Sequence, residues 1–286
     1  MYIFVNNFCK SGLGDRMMDL ICLITYSYIN KCELIVYSEN FTGVGDNSVY
    51  IPEWRFKDTL PENLLTFFNL PVTFTNDNAL VNRNNKTYLF PEYLGGVFSP
   101  SKFFNKYLRN NISIETFREG LNYTKGAIGL KHSIDYHDKY VVVHLRRTDK
   151  LRGVDSTQMR PYMVDKYNAD TIALIEASIA KGYKNFYLAS DCSNTLKEYE
   201  IILTKLNVNC INDQIKNENN LIESYFDILI MSKCDFIIVS SVYSNFSLFC
   251  ALLFNRELWV LDKSVYIQHG FDKDVVIRNL SEIISK

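Results

Sequence analysis

The sequence lacks most of the features that assign a protein to a class at first sight. No hydrophobic run approaches the roughly 18 residues that a membrane-spanning helix needs, so we expect no stable membrane insertion. The seven cysteines are scattered, without the close spacing of zinc ribbons or disulfide scaffolds, which favours reduced thiols. The first apolar run, at residues 2–5, is too short for a signal peptide. Together these absences predict a cytoplasmic protein.

An excess of charge of one sign is also missing. Lys and Arg total 31 and Asp and Glu total 32, which gives a formal net charge of −1. Affinity for nucleic acid depends on a basic surface that neutralises phosphates, so no nucleic-acid partner is expected. The motifs of P-loop nucleotidases, serine hydrolases and HExxH zinc proteases are absent as well.

The apolar content is high enough for a substantial core, since 47% of the 286 residues are hydrophobic. At about 150 residues per domain, this length predicts two domains. The 19 Tyr and 19 Phe are open to two interpretations, which are core packing and platforms for sugar rings.

The N-terminal segment predicts a β-α-β unit. Residues 2–5 form a β-like run, residues 11–14 form a glycine turn, and apolar residues from Met17 to Tyr28 recur at helical steps. A second strand at 34–37 completes the unit, which is typical of a parallel sheet with helices on its faces. Residues 40–135 indicate only short strands and helices between Asn-rich loops.

The second half alternates strands and helices, which is the pattern of a doubly wound α/β domain. A polar stretch at 135–139 separates the halves, so we predict an N-terminal domain over residues 1–138 and a C-terminal domain over 139–286. The last predicted helix is expected to pack back on the N-terminal domain. The predicted elements are strands at 140–143, 185–189, 207–211, 235–239 and 257–261, and helices at about 164–181, 193–205, 221–233, 244–254 and 273–285.

The buried strand at 140–143 leads directly into a charged segment at the carboxyl end of the strand, where open α/β sheets bind ligands. Guanidinium groups there can fork onto phosphate oxygens, and an acid can hold an arginine or meet a sugar hydroxyl. A surface cluster of salt bridges is the alternative. The charged or titratable residues of this VVVHLRRTDK segment are His144, Arg146, Arg147, Asp149 and Lys150.

Two later strand ends carry polar residues of a similar kind. Asp191 follows the strand at 185–189 and can accept hydrogen bonds from a ribose or a guanine, or can cap the next helix. Ser244, Asn245 and Ser247 open the helix after the strand at 235–239, where free backbone N–H groups bind anions. Ordinary helix capping is the alternative for these three residues.

Two weaker patterns complete the set. Gly12 and Gly14 permit a close approach of the backbone to a ligand, although Met17 stands where a dinucleotide fingerprint has its third glycine. Asp272 and Asp274 have the acid-x-acid form of many metal-dependent sugar transferases, but their position before the last predicted helix favours a helix-dipole role. No metal site is therefore predicted.

Taken in order, these blocks resemble the α1,2/α1,6/protein-O-fucosyltransferase superfamily, and most of all its core α1,6-fucosyltransferases and nodulation-factor fucosyltransferases. The likeness covers about residues 140–255, and in the N-terminal half only SGLGDR carries it. The matching segments are HLRRTDK at 144–150, PYM at 161–163, YLASD at 187–191, DILIMSKCDFIIVSS at 227–241 and YSNFS at 243–247.

The resemblance implies an α/β, GT-B fold, in which two Rossmann-like domains face a central cleft. The first domain would bind the acceptor and the second the nucleotide sugar. The implied activity is that of an inverting, metal-independent glycosyltransferase that moves fucose from GDP-fucose to a hydroxyl of an oligosaccharide or glycan. Two alternatives stay open, which are a transferase that uses another nucleotide sugar such as UDP-xylose and a non-catalytic nucleotide-sugar-binding protein.

The resemblance also implies roles for residues of the first motif. Arg147 corresponds to the arginine that contacts the β-phosphate of the donor, while Arg146 and Lys150 complete the basic part of the donor site. His144 and Asp149 correspond to the histidine and the acid of the motif, which we assign to catalysis.

The later motifs imply further contacts with the donor. Asp191 corresponds to the acid that contacts the nucleotide, Asp227 to the family's later aspartate, and the region Ser244 to Ser247 to its hydroxyl-rich phosphate loop. The chain departs from the core α1,6 enzymes at Cys192, where those enzymes usually have a second aspartate.

A base must take the proton of the acceptor hydroxyl. Asp155 and Asp149 are the candidates, because Val154 stands where the core α1,6 enzymes carry a glutamate. The acceptor is expected on the first domain, where aromatic side chains can stack on sugar rings or simply belong to the core. The aromatic candidates are Trp54, Tyr93 and Phe98.

Overall fold

The chain folds into two compact units, Met1–His132 and Ser133–Lys286, and each has its own parallel β-sheet. None of the helices in the described part of the chain combines the length and the apolar character that a bilayer crossing requires. The computed structural model describes residues 2–5, 13–37, 61–75, 87–89, 112–146, 161–213, 222–241, 243–268 and 274–284.

The first unit contains a four-stranded sheet and a separate antiparallel strand pair. Its elements are β1 (Tyr2–Val5), α1 (Leu13–Ile29), β2 (Glu33–Tyr37), α2 (Pro61–Phe67), β3 (Phe68–Asn69), β4 (Thr73–Thr75), β5 (Thr87–Leu89), α3 (Ile114–Ala127) and β6 (Gly129–Leu130). The four-stranded sheet has the order β4-β2-β1-β5 and all its pairings are parallel, whereas β3 pairs with β6. The predicted β-α-β unit at the N-terminus is therefore confirmed.

Helix α1 is held against α3 by close contacts between small side chains. Thr25 and Thr124 are fully buried, and their hydroxyl oxygens lie 2.8 Å apart, while the Thr124 hydroxyl also contacts the Gly120 carbonyl oxygen at 2.9 Å. At the end of this contact the rings of Tyr28 and Tyr123 stack with their centroids 4.1 Å apart. The absence of a side chain at Gly120 is what allows the two helices to approach so closely.

We expect Gly120→Ala to destabilise the protein by about 1–2 kcal/mol, because extra volume in a tight contact costs more than the gain in helix propensity. A Cβ at this position would lie 2.9 Å from Ile29 Cγ1 and 3.0 Å from Thr25 Cγ2. Gly126→Ala in the same helix is the matched control, since a Cβ there would meet nothing within 4 Å. Thermal denaturation followed by circular dichroism should show a lower Tm for the first variant only. Equal shifts in the two variants would contradict the contact.

The second unit contains a six-stranded parallel sheet with the order β12-β11-β10-β7-β8-β9. Strand β7 comes first along the chain and lies in the interior of the sheet, so the order of the strands reverses between β7 and β10. The elements of the second unit are β7 (Val141–Leu145), α4 (Pro161–Ala180), β8 (Asn185–Ser190), α5 (Ser193–Lys205), β9 (Asn209–Cys210), α6 (Glu223–Lys233), β10 (Phe236–Val239), α7 (Asn245–Phe254), β11 (Glu257–Val260), α8 (Ser264–Gln268), β12 (Ile277–Asn279) and α9 (Leu280–Ile284).

The central strand β7 divides its side chains between the two faces of the sheet. Val141, Val143 and Leu145 are fully buried in one core cluster, together with residues of α4 and α5 such as Leu174 and Leu203. Because successive side chains in a strand point to opposite faces, the side chain of the fourth residue of β7 lies on the other face. The two units, each with a parallel sheet and helices beside it, confirm the predicted α/β fold class.

The prediction of a last helix at about 273–285 is wrong. The β-branched run that ends at Ile277 instead pairs with the free edge of β11, where Leu258 lies opposite Ile277. Helix α9 begins only after this strand, and the Asn279 side chain accepts the N–H of Leu280 at 3.1 Å, as at a helix N-cap. Ile283 of α9 is buried in the core of the second unit, and packing of the last helix on the first domain stays a prediction.

Candidate functional site

The carboxyl ends of β7 and β10 are neighbours at the point where the strand order of the second sheet reverses. Ligands of open α/β sheets bind in the crevice that forms at such a switch point. His144 in β7 lies opposite Val239 of β10 and Ala189 of β8, and the Ser240 N–H donates to the His144 carbonyl oxygen at 3.1 Å. The fold therefore brings His144 and the serine-rich segment after β10 to one place.

His144 contacts the first turn of α7. Its Nδ1 lies 2.5 Å from Ser247 Oγ and 3.5 Å from Ser244 Oγ, and its ring centroid is 5.4 Å from that of Phe246. His144 is buried, with a relative exposure of 8%. Contact through Nδ1 holds the imidazole in this orientation.

The N-terminus of α7 is capped by its own serine. Ser244 is the N-cap residue and its Oγ accepts the N–H of Ser247 at 3.4 Å, so the capping interpretation is correct for Ser244. Asn245 Oδ1 accepts the hydroxyl of Tyr243 at 2.5 Å. Residues from Ser247 to Leu253 are buried, so the helix that carries these groups is embedded in the unit. The positive end of its dipole faces the crevice and favours an anion there.

Tyr266 of α8 is a member of this site that the sequence analysis misses. Its side chain is fully buried, and its hydroxyl oxygen accepts the N–H of Ser244 at 3.3 Å. Arg146, which follows β7, lies close enough for its charge to influence the phenol. The signal that could have found Tyr266 is its position just after β11, the next strand beyond β10 in the sheet.

Asp191 and Cys192 follow β8, the other neighbour of β7. Asp191 is exposed, and Cys192 rather than Asp191 occupies the N-cap position of α5. Ser190 closes the end of the strand, since its hydroxyl donates to the Leu145 carbonyl oxygen at 2.7 Å. The hydroxyl and amide of Thr195 and the amide of Asn194 hold the pKa of the Cys192 thiol below its usual value.

This low pKa predicts selective alkylation of Cys192, because the thiolate is the reactive form. Cys32 is the internal control, since it is also partly exposed but burial raises its pKa. At pH 7.5, iodoacetamide should label Cys192 several-fold faster than Cys32, as measured by peptide mass spectrometry over time. Thr195→Val removes one donor to the thiolate and should slow labelling at Cys192 alone. Equal labelling rates at the two cysteines would contradict the prediction.

Asp227 lies in the interior of the second unit. It belongs to α6, its exposure is 8%, and its Oδ1 accepts the hydroxyl of the buried Tyr187 at 2.7 Å. Burial, and secondarily the carboxylate of Asp227, raise the pKa of Tyr187, so the phenol stays protonated and donates. In the structure this bond connects α6 to β8 beneath the site.

In the first unit, α1 begins at Leu13 with buried charge in its first turns, so Leu13 and Gly14 of the predicted glycine turn belong to the helix. Gly14 is the second residue of α1 and is buried. Arg16 is fully buried and Asp19 has 3% exposure; burial raises the pKa of Asp19, and the charge of Arg16 partly offsets this rise. Arg16 ends the SGLGDR segment, whereas Asp19 is a residue that the motif search does not single out.

Several predicted residues lie outside the part of the chain that the structure describes. Within that part, no group of three His, Cys, Asp or Glu side chains is placed to hold a metal ion. The predicted residues outside it are Gly12, Arg147, Asp149, Lys150 and Asp155, and the aromatic candidates Trp54, Tyr93 and Phe98.

No protein-family model and no curated protein matches the chain. Among solved structures it is similar to fucosyltransferase NodZ from Bradyrhizobium, with 13% identity over 88% of this chain and 93% of that chain and a TM-score of 0.48. It is also similar to NodZ alpha-1,6-fucosyltransferase soaked with GDP-fucose, with 14% identity over 88% of this chain and 92% of that chain and a TM-score of 0.49. A third similar structure is POFUT1 in complex with GDP, with 12% identity over 91% of this chain and 98% of that chain and a TM-score of 0.47. Likeness at this level carries no information about the chemistry of the site.

Proposed function

We propose that this protein is a glycosyltransferase that binds a nucleotide diphosphate sugar at the carboxyl edge of its second sheet. The donor we propose is GDP-fucose, and the acceptor is a hydroxyl of an oligosaccharide or glycan. The observation that carries the proposal is the contact of His144 with Ser247 at the switch point, because it joins two motifs that are far apart in sequence.

The chemistry of the site supports a diphosphate ligand. The N-terminus of α7 offers backbone donors and a positive dipole end, and Arg146 supplies a nearby cation. Two arginines in succession after β7 are suited to the paired oxygens of a diphosphate, since each guanidinium presents a planar fork of donors.

Transfer with inversion requires a single displacement at the anomeric carbon. The bond from this carbon to the β-phosphate oxygen breaks, and the acceptor oxygen forms the new bond from the opposite face. GDP leaves with the electron pair of the broken bond, and Asp155 or Asp149 takes the proton of the acceptor hydroxyl. In this scheme Arg147 stabilises the charge that develops on the departing phosphate, which is where a preorganised cation has the largest effect on the rate.

We expect transfer to need no divalent metal, because the arginines supply the positive charge that a metal would otherwise provide. The rate measured in excess EDTA should equal the rate in its absence. A loss of activity that Mg²⁺ or Mn²⁺ restores would contradict this expectation.

A panel of GDP-, UDP- and dTDP-sugars, followed by thermal denaturation, tests the choice of donor. A ligand at 100 times its Kd stabilises the folded state by about 2.7 kcal/mol, which raises Tm by several degrees in a unit of this size. We expect this shift with GDP-fucose and GDP. A shift with UDP-xylose alone would replace the proposed donor.

A second measurement separates an enzyme from a binding protein. Mass spectrometry of acceptor glycans incubated with the protein and GDP-fucose should detect a fucosylated product, and nuclear magnetic resonance of its anomeric proton should show inversion. Binding of the donor with neither transfer nor hydrolysis would identify a non-catalytic nucleotide-sugar-binding protein.

A further inference from the structure

Tyr266 places a phenolic hydroxyl at the N-terminus of α7. The side chain is fully buried, its ring lies 4.9 Å from that of Tyr243, and its oxygen accepts the N–H of the N-cap residue Ser244 at 3.3 Å. A phenolic oxygen that accepts one hydrogen bond still has its own hydrogen to donate. Among the residues that the structure describes, no group accepts that hydrogen.

The electrostatics keep this hydroxyl in its donor form. Burial is the largest influence on Tyr266 and raises its pKa, while the Ser244 amide and the charge of Arg146 offset only part of the rise. A buried donor whose hydrogen has no acceptor destabilises the structure, so a ligand atom that accepts this hydrogen binds more tightly. The neighbouring cation and the helix N-terminus both favour an acceptor with negative charge.

A second donor is available at the same helix end. In the described part of the chain, the backbone N–H of Phe246 has no acceptor, although the amide of Ser247 is taken by Ser244 Oγ. Two hydrogens that have no acceptor among the described residues, those of the Phe246 N–H and the Tyr266 hydroxyl, therefore lie at one helix end near the charge of Arg146.

We propose that Tyr266 is a binding residue for the diphosphate of the donor, to which its hydroxyl donates a hydrogen bond at the N-terminus of α7. This inference rests on the proposed function for the identity of the ligand, but its anion contact can be tested without a sugar. The probes are guanosine, GDP and inorganic pyrophosphate.

Isothermal titration calorimetry of wild type and Tyr266→Phe tests the assignment. Loss of a hydrogen bond to a charged group should lower the affinity for GDP and for pyrophosphate by roughly ten- to a hundredfold. Guanosine, which has no phosphate, should bind both proteins equally, and this equality also shows that the variant is folded at the site. If Tyr266 had a merely structural role, the substitution would instead lower the affinities for guanosine and for GDP by the same factor.

Tyr140→Phe is the matched control. Tyr140 is also buried, and its hydroxyl donates to the Ile230 carbonyl oxygen at 2.7 Å, but it precedes β7 and so lies at the opposite end of that strand. This variant should bind GDP as wild type does, even if its Tm falls. Unchanged GDP affinity in Tyr266→Phe would overturn the assignment, as would an equal loss in Tyr140→Phe.

The same titrations separate this inference from the proposed function. If wild type binds pyrophosphate but no nucleotide sugar, and Tyr266→Phe lowers the affinity for pyrophosphate, the proposed function fails while the anion contact stands. If wild type transfers fucose and Tyr266→Phe binds GDP normally, the assignment of Tyr266 fails while the proposed function stands.

Discussion

Arg147→Ala should reduce kcat for sugar transfer by about 10²–10³, the range found when a preorganised donor to a developing negative charge is removed. In the proposed mechanism the guanidinium meets the β-phosphate when the glycosidic bond breaks, so its contribution is greater in the transition state than in the bound donor. Steady-state kinetics with saturating GDP-fucose give the relevant constant. A variant that keeps more than about a tenth of the wild-type kcat would rule out this role for Arg147.

Arg147→Lys is the graded control for this experiment. Lysine keeps the positive charge but cannot fork onto two phosphate oxygens, so we expect an activity between those of wild type and Arg147→Ala. The affinity for guanosine should be the same in all three proteins, because guanosine has no phosphate and its binding does not depend on this contact. A loss of guanosine affinity would indicate disruption of the site rather than a missing charge.

His144→Phe should lower kcat/KM by about a hundredfold or more, which is the lower end of the effect of a positioned acid or base. Phenylalanine fills the space of the imidazole in this buried position but has no nitrogen to contact Ser247 or a ligand. Activity within a few-fold of wild type would show that His144 has only a packing role.

Two variants of Ser247 separate orientation from chemistry. Ser247→Ala removes the hydroxyl 2.5 Å from His144 Nδ1 and should cost less than His144→Phe, about tenfold. Ser247→Thr keeps a hydroxyl and should restore most of this loss. If Ser247→Ala is as damaging as His144→Phe, Ser247 itself contacts the donor, as the family's phosphate loop implies.

The sequence is most informative where strands and helices alternate and are strongly apolar. Residues 141–143 and 236–239 are continuous apolar runs, and such runs are typical of strands buried on both faces of a parallel sheet. Polar residues directly after them must lie at one edge, because parallel strands share their direction. This constraint accounts for the contact of His144 in β7 with Ser247 in the serine-rich segment after β10.

The parts that could not be predicted depend on partners from distant segments. The run that ends at Ile277 becomes a strand because the edge of β11 is free to pair with it, which no local pattern reveals. Motif matching assigns Asp227 to nucleotide binding, while the structure gives it Tyr187 as a hydrogen-bond partner inside the unit. Tyr266 belongs to no motif, and only the order of strands in the sheet brings it to α7.

The burial of α7 also bears on how the site responds to a ligand. Since Leu248 to Leu253 are enclosed by the unit, the amides at the start of this helix cannot move without unpacking its whole length. In the proposed function, the amides at this helix end are thus already in place before a ligand arrives. Little conformational entropy is lost there on binding, so differences in affinity between donors should arise in the loops around the helix rather than in the helix itself.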